Sequence, residues 1–247
     1  GLARKFEALD RRLELRALAS AADAQVEGDG RFRLVSPFPL RPLDGALFYL
    51  ALPFRVAQEL RRFRPHAVIA QSPYEGAAVL LGRRLARVPA ALVVELHGDW
   101  RTFPRLYGSP WRRALAPVTD RLATLALRRA EAVRTLSPFT SELARSVGVE
   151  PTATFIAYTD VDAFAGPPAP LPERPQALFV GVLERYKNVD AVASAWRLAA
   201  ARLPGARLLV VGDGRRRAVV ERLVAELPEQ TSWRPSVPNA EMASLLD

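Results

Sequence analysis

The sequence of 247 residues contains no cysteine, two lysines and two histidines. Without cysteine there are no disulfide bonds and no thiolate metal ligands, and a reducing compartment fits. The histidines, His66 and His97, stand in different segments, which argues against a histidine-based metal cluster. No apolar run reaches the roughly 18 residues that span a bilayer, since the longest candidate, Gly45–Phe54, is too short. We therefore predict no metal site and no transmembrane segment.

Lysine is rare although the chain is basic. Of the 35 basic residues only Lys5 and Lys187 are lysines, and the formal net charge is +9. The bias toward arginine, alanine and proline is typical of GC-rich coding, so the net charge by itself points only weakly to an anionic partner. Lys187, which follows a short apolar strand and a glycine, therefore stands out from its background.

Short apolar runs alternate with longer helical patterns along most of the chain, which predicts βαβ units and a mostly parallel sheet. The proline-rich stretch Gly166–Pro175 lacks apolar periodicity and is the best linker candidate. We predict an α/β domain over residues 1–165, a linker over 166–175 and a second α/β domain over 176–247. Because the chain starts and stops inside helical patterns, we expect both domains to be incomplete.

The individual elements follow from the same periodicities. The predicted strands are 13–20, 31–38, 66–72, 91–98, 132–137, 153–158, 176–182 and 206–214, the last including a tight turn. The predicted helices are 46–63, 76–86, 111–130, 141–148, 189–203 and 215–227.

Candidate site residues are those that follow the predicted strands, because ligands of parallel α/β sheets bind beyond the carboxyl ends of the strands. In the first domain, His97 ends a buried strand and is followed by Gly98 and Asp99. Its imidazole can polarise a hydroxyl or donate to a sugar oxygen. A histidine bonded to a backbone carbonyl is the commoner alternative.

Two glycine-containing loops follow strands of the second domain. Gly212–Gly214 ends a strand and opens a helix, where glycine lets the backbone approach a ligand and the helix N-terminus favours an anion. A plain tight turn fits as well, and the full dinucleotide fingerprint is absent. Lys187 follows Gly181 by six residues and can meet a phosphate as a point charge, or be an ordinary exposed lysine. Together the two loops and the lysine predict a nucleotide or diphosphate site.

The segment Trp100–Ala130 mixes arginines with aromatic residues. It carries seven arginines against one acid, Asp120, and four interleaved aromatic residues: Trp100, Phe103, Tyr107 and Trp111. Such a segment suits docking on anionic lipid headgroups, and it also suits single-stranded nucleic acid. A solvated, arginine-biased helix with a few core aromatics is the alternative.

Several phrases of the sequence match the pattern of one known protein family. In FVGVLERYKNVD the matching positions are Phe179, Val180, Gly181, Leu183, Lys187, Val189 and Asp190. Further matches are Val210–Gly214 and Val237–Leu246 in the second half, and His97–Gly98, Ser137, Val161, Asp162 and Phe164 in the first. Together these residues resemble the glycosyltransferase family 4 group of GT-B enzymes, and the resemblance covers most of the chain.

The resemblance implies two Rossmann-like domains with parallel sheets flanked by helices, the first binding an acceptor and the second a UDP-sugar or GDP-sugar. Transfer would retain the anomeric configuration without a metal or other cofactor. Lys187 would neutralise the β-phosphate of the leaving group, and His97 would lie near the transferred sugar or the acceptor hydroxyl. We assign Gly181, Arg185, Lys187, Gly212, Asp213 and Gly214 to the donor side, and Ser72, Tyr74, His97, Gly98, Asp99 and Ser137 to the acceptor side.

The chain also departs from the family pattern. Val182 stands where the family has an arginine that contacts phosphate, and Arg185 is a possible substitute. Thr159 and Asp160 replace an Asn-Gly pair, and Asn188 replaces a glycine whose left-handed backbone asparagine tolerates. The family's first strand is expected before Gly1 and its donor-binding glutamates beyond Asp247, so this chain alone is expected to be inactive.

We therefore predict a hexosyltransferase-type enzyme that acts on a cell-envelope, polysaccharide or lipid-linked acceptor, in the cytoplasm, with peripheral attachment to the inner face of the cell membrane. The competing prediction is a non-catalytic, degenerate GT-B protein that binds nucleotide-sugar or scaffolds partners, which Val182 and Thr159 favour. A basic nucleic-acid-binding α/β protein fits less well, so no nucleic-acid partner is expected.

Overall fold

A computed structural model describes residues 9, 12–20, 25–27, 32–35, 44–102, 105, 110–156, 170 and 172–246 of the chain. The chain divides into two compact units, Gly1–Thr159 and Asp160–Asp247. The predicted linker lies mostly outside the described residues. So do Thr159, Val161, Asp162 and Phe164, which carried part of the resemblance.

Unit 1 alternates strands and helices after an initial group of short strands. In chain order its described elements are β1 (Ala17–Ser20), β2 (Gln25–Glu27), β3 (Phe32–Val35), α1 (Asp44–Phe63), β4 (Ala67–Ala70), α2 (Pro73–Ala86), β5 (Ala91–Leu96), α3 (Pro110–Arg129), β6 (Ala132–Thr135), α4 (Pro138–Arg145) and β7 (Ala153–Thr154).

The main sheet of unit 1 has the strand order β4-β5-β6-β7, and all of its pairings are parallel. A second sheet has the order β1-β3-β2, with β2 antiparallel to β3. The central strand β5 is buried, with Leu92 and Val94 fully enclosed. Apolar side chains of α1 and α2, among them Leu60 and Val79, belong to the same hydrophobic core. Because β4, β5 and β6 pair in parallel, their carboxyl ends lie at one edge of the sheet.

Unit 2 repeats the alternation around its own core. Its described elements are β8 (Gln176–Val180), a 3₁₀ helix (Arg185–Lys187), α5 (Val189–Arg202), β9 (Arg207–Val211), α6 (Arg217–Glu226), β10 (Thr231–Arg234) and α7 (Asn239–Leu246). The sheet order is β10-β9-β8, with parallel pairing throughout. Trp196 and Leu223 pack in the core beside Leu208 and Val210 of β9.

The predicted parallel sheets flanked by helices are confirmed in both units. Sequence patterns missed β2 and β10, because three- and four-residue strands with polar members carry almost no period-two signal. The predicted starts of α2 and α4, at Gly76 and Ser141, are wrong by three residues. Each helix begins at a proline that directly follows a capping serine. The start of α6 is also wrong, since it begins at Arg217 and not at Arg215.

Within the described ranges, no helix combines the length and the apolar character needed to cross a membrane. In the same part of the chain, no group of three or more acidic or histidine side chains is arranged to hold a metal ion.

Candidate functional site

In unit 2 the loops after β8 and β9 run side by side. The two strands pair in parallel, with Val180 opposite Val211, so both loops leave from the same sheet edge. The backbone ladder continues beyond the strands, since Gly181 N–H donates to Val211 O at 3.0 Å and Leu183 N–H donates to Asp213 O at 2.9 Å. The structure therefore brings the two glycine-containing loops together.

Gly212 makes this close approach possible. Its φ is +138°, and a Cβ at this position would lie 1.9 Å from the carbonyl oxygen of Gly181. Only glycine fits, because any other side chain would overlap the backbone of the neighbouring loop. The carbonyl of Gly212 is itself fixed, since Trp233 Nε1–H donates to it at 2.8 Å. Trp233 belongs to the unpredicted strand β10, so sequence reasoning missed this contact.

Lys187 reaches back toward the first of these loops. It ends the 3₁₀ helix, and the left-handed Asn188 (φ 52°, ψ 43°) then turns the chain into α5. The Lys187 Cε lies 3.8 Å from where a Cβ of Gly181 would be, and its Nζ lies 5.6 Å from the ring centroid of Tyr186. An exposed ammonium on the flexible stem of a lysine thus lies beside the carboxyl end of β8.

Two backbone donors at the start of α6 already have acceptors. Gly214 N–H donates to the Asp213 carboxylate at 2.8 Å, and Arg215 N–H donates to the Glu184 carboxylate at 3.4 Å. An anion predicted to bind at this helix start would therefore have to compete with two carboxylates for these N–H donors. Arg185 begins the 3₁₀ helix and is exposed. Lys187 is thus better placed than the α6 terminus to meet an anion.

In unit 1, both serines that follow strands act as helix caps. Ser72 Oγ accepts from Glu75 N–H at 3.2 Å at the start of α2. Ser137 Oγ accepts from Thr140 N–H at 3.3 Å, while Thr140 Oγ1 accepts from Ser137 N–H at 3.0 Å. This reciprocal pair is a capping box at the start of α4. Their hydroxyls have structural partners in the described chain.

Tyr74 and Asp99 are also held by the protein. The Tyr74 hydroxyl donates to Trp100 O at 2.7 Å and lies 3.3 Å from Asp120 Oδ1. Burial raises the pKa of Tyr74 far above its usual range, and the Asp120 charge adds to the shift. Asp99 accepts from the backbone of Arg101 and from Thr102. Partial burial raises the pKa of Asp99, but these hydrogen bonds outweigh it and leave the pKa lowered.

The carboxyl ends of β5 and β6 carry a charged pair that the sequence analysis missed. Glu95 and Arg134 lie opposite each other in the parallel register, and both are buried. Arg134 Nη1 donates to Glu95 Oε1 at 2.5 Å, and Glu95 Oε2 lies 3.2 Å from His97 Nε2. A signal was present, because each residue is the only charged member of an otherwise uncharged strand.

His97 is the most available of the predicted acceptor-side groups. Its side chain is 41% exposed, although one ring nitrogen contacts the buried Glu95. Beside it, no atom of the described residues lies within 4 Å of the position that a Cβ of Gly98 would take, which leaves space for a ligand among them. Glu75 is close enough to interact electrostatically with His97. Burial raises the pKa of Glu75, and backbone donors and the His97 charge partly offset the rise.

The two edges offer different chemistry. The edge of unit 1 presents an imidazole fixed by a buried carboxylate, which suits a hydrogen bond to a hydroxyl. The edge of unit 2 presents an ammonium over a glycine-lined backbone, which suits a phosphate.

The chain matches two protein-family models. Residues 1–159 match the glycosyl transferase 4-like domain, and residues 163–247 match the glycosyl transferases group 1 domain. No curated protein sequence matches the chain at a significant level.

Solved structures with a similar fold include three synthases and transferases. Sucrose-phosphate synthase from Thermosynechococcus elongatus superposes with a TM-score of 0.71, at 18% identity, over 99% of this chain and 66% of that one. The apo lipopolysaccharide outer core galactosyltransferase WaaB gives 0.60 at 14% identity, over 99% and 64%. The α,α-trehalose 6-phosphate synthase from Burkholderia multivorans gives 0.62 at 12% identity, over 91% and 65%. The chain thus spans just under two thirds of the length of each.

Proposed function

The chain belongs to the glycosyl transferase 4-like family and has the predicted GT-B fold, and from this premise we propose that it is a retaining glycosyltransferase. It moves a sugar from a UDP-sugar or GDP-sugar to a cell-envelope, polysaccharide or lipid-linked acceptor. The observation that carries the proposal is Lys187 beside the paired glycine loops of unit 2. In this role Lys187 neutralises the β-phosphate as the nucleoside diphosphate leaves.

On the acceptor side, His97 contacts a hydroxyl of the carbohydrate. The open space beside Gly98 supports this role. Ser72, Ser137, Tyr74 and Asp99 shape the edge chiefly through the helix caps and loop contacts that they make. Transfer needs no metal or other cofactor in this proposal, since Lys187 supplies the charge at the leaving group.

Nucleotide binding tests the donor side. Titration of the complete gene product with UDP and with GDP should show binding of at least one. The affinity should fall about 10- to 150-fold in Lys187→Ala, because a charged hydrogen bond to phosphate is lost. Arg202→Ala, at the exposed end of α5 in the same unit, is the matched control for the loss of one cation and should bind normally. Equal affinities of Lys187→Ala and the unmodified protein would contradict the role of Lys187.

A second candidate function is a non-catalytic GT-B protein that binds nucleotide-sugar or scaffolds partners. Val182 favours it, because this 48% exposed apolar side chain stands where the family's second phosphate contact is expected. Multiple-turnover release of UDP or GDP from a panel of nucleotide-sugars, in the presence of a membrane lipid extract, separates the two. Binding without turnover would support the second candidate over the first.

We further propose that the protein works in the cytoplasm on the inner face of the cell membrane and docks through α3. Leu115, Val118, Leu122 and Leu125 are each about half exposed, and their spacing places them on one face of this helix. Exposed arginines, including Arg121, lie along the helix, whereas the side chain of its acid, Asp120, is mostly buried and accepts from Arg105. An apolar stripe with basic neighbours fits an anionic bilayer.

This docking surface differs from the one that the sequence suggested. Trp100 was expected to contribute to a basic-aromatic surface, but it is 5% exposed and packs in the core of unit 1. Phe103, Tyr107 and the Trp111 side chain lie outside the described part. Aliphatic side chains of α3 therefore carry the proposal.

Co-sedimentation with vesicles tests the docking surface. We expect binding to phosphatidylglycerol vesicles and weaker binding to phosphatidylcholine vesicles. The double variant Leu115→Gln, Leu122→Gln should lose about tenfold in affinity, since each half-exposed leucine loses about 0.7 kcal/mol or more of apolar burial. Leu198→Gln is the control, because Leu198 is 68% exposed on α5 of unit 2. Equal binding of the double variant and the control would exclude this surface.

A further inference from the structure

The buried pair Glu95–Arg134 is not explained by stability. The two residues are 6% and 8% exposed, at the carboxyl ends of adjacent central strands. Removing two charges from water is expensive, and well-packed apolar residues in their place are often as stable or more so. Charged residues at these positions therefore call for a functional reason, and the reason lies in what the carboxylate contacts.

The carboxylate of Glu95 joins a buried cation to an exposed imidazole. One oxygen accepts from Arg134 Nη1, and the other lies 3.2 Å from His97 Nε2. The guanidinium stabilises the charged form of the carboxylate. An ionised carboxylate only accepts hydrogen bonds, so the contact with His97 requires a proton on Nε2.

Arg134 is in turn held in place by the two residues that follow β7. Its Nη2 donates to Phe155 O at 3.2 Å and to Ile156 O at 3.1 Å. The guanidinium carbon lies 3.9 Å from the centroid of the Phe155 ring. A guanidinium with contacts on several sides fixes the carboxylate that it binds, and the carboxylate fixes the imidazole.

A neutral imidazole carries one N–H, so a proton on Nε2 leaves Nδ1 with a lone pair. We propose that Glu95 and Arg134 are positioning residues that hold His97 in the Nε2–H tautomer, so that Nδ1 accepts a hydrogen bond from a hydroxyl of the carbohydrate substrate. The ligand part rests on the proposed function, whereas the tautomer is a property of the free protein.

The tautomer can be measured directly because the chain has only two histidines. In the chain labelled with ¹⁵N-histidine, a long-range ¹H–¹⁵N correlation spectrum distinguishes the protonated from the unprotonated ring nitrogen, and His66→Gln assigns the two signals. We expect neutral His97 to be protonated at Nε2. A predominant Nδ1–H form, or a free-solution mixture of tautomers, would overturn the proposal.

Glu95→Gln separates positioning from folding. The glutamine keeps the volume, but its amide can donate to Nε2, so the Nδ1–H population of His97 should rise while the His66 signals stay unchanged. Glu75→Gln is the matched control, because it removes the other nearby carboxylate and should leave His97 as Nε2–H. Unaltered His97 signals in Glu95→Gln, or the same change in both variants, would overturn the proposal.

The predicted hydrogen bond from the substrate hydroxyl to His97 Nδ1 is tested separately, by acceptor kinetics. In the complete gene product, the wrong tautomer should lower kcat/KM for the carbohydrate acceptor about three- to tenfold, the effect of one uncharged hydrogen bond. UDP or GDP affinity should stay unchanged, because it depends on unit 2. Unchanged kcat/KM in Glu95→Gln with a changed tautomer would overturn the ligand part. A protein that transfers no sugar but keeps the Nε2–H form would contradict the proposed function and leave the positioning role supported.

Discussion

The two units differ in the chemical groups that lie at the carboxyl ends of their strands. In unit 1 the edge is made of buried and hydrogen-bonded side chains, with Glu95, Arg134 and His97 in one chain of contacts. In unit 2 the edge consists mainly of backbone groups. The backbone of Gly212 contacts that of Gly181, and the exposed Lys187 lies beside them. The same α/β architecture thus supports a hydrogen-bonded polar group in one unit and a backbone surface with an exposed charge in the other.

This difference fits two kinds of ligand. A hydroxyl is recognised by one donor or acceptor in a fixed direction, so the group that meets it has to be held in place. A diphosphate carries charge on many oxygens, so a flexible ammonium and a close backbone are sufficient. The following substitutions test the comparison, from the largest expected effect to the smallest.

Arg134→Ala should be the most damaging change, because it leaves the Glu95 charge buried without its cation. Breaking a buried pair in this way costs about 3–5 kcal/mol in the free energy of unfolding. Denaturant unfolding, followed by hydrogen exchange of β5 and β6, should show the loss in unit 1 while unit 2 keeps its protection. Arg145→Ala, which removes an exposed guanidinium paired with Glu142 and Glu150, should have little effect. Equal effects of the two variants would mean that the Glu95 charge is not buried in solution.

Gly212→Ala should damage unit 2 instead. The added methyl would lie 1.9 Å from the Gly181 carbonyl oxygen, and φ is +138°, so the two loops have to separate. Strain and overpacking together should lower the free energy of unfolding by about 2–4 kcal/mol. Gly205→Ala is the control in the same unit, since no atom of the described part of the chain lies within 4 Å of its Cβ position. The measurement is hydrogen exchange of β8 and β9. Normal protection in Gly212→Ala would show that the loops are farther apart than described.

These two sites differ in how far the sequence predicts them. The parallel α/β architecture was predicted, because burial of strands such as Ala91–Leu96 between helices leaves a strong alternation of patterns. The unit 2 loops were also predicted as a pair, because glycines after apolar strands mark their location. What the sequence did not reveal is that Gly212 serves the contact with Gly181 as well as any contact with a ligand.

The unit 1 network was less predictable, since it depends on register. Glu95 and Arg134 are 39 residues apart, and only the pairing of β5 with β6 puts them opposite each other. Ser72 and Ser137 were predicted as ligand contacts because they follow strands. The Ser-Pro pair at each position is also the signature of a helix start, and the structure assigns both hydroxyls to caps.

Helix capping therefore gives a smaller test of the same comparison. Ser137→Ala should lower the free energy of unfolding by about 1 kcal/mol, because Thr140 N–H loses its acceptor. In unit 2, α5 and α6 begin without a side-chain cap, so Arg216→Ala removes no such hydrogen bond. Thermal unfolding measures both. If Ser137→Ala left stability unchanged but weakened acceptor binding, the ligand role would outweigh the cap.

The smallest expected effect is on the pH dependence of the free energy of unfolding, and it comes from a carboxylate beside the amino end of β5. Glu131 accepts from Arg83 at 2.9 Å and from Leu92 N–H, and the Arg83 hydrogen bond is the main reason that its pKa lies below the usual value. A lowered pKa in the folded state means that the stabilisation is complete above the ordinary glutamate pKa and disappears as pH falls through the lowered one. Because the Glu131 side chain is 46% exposed, the contribution should be below about 1 kcal/mol and should shrink in salt. Unfolding of Glu131→Gln and the unmodified protein should thus differ slightly at neutral pH and converge in acid. A difference that persisted in acid would show that Glu131 acts through packing or its contact with Leu92 rather than through its charge.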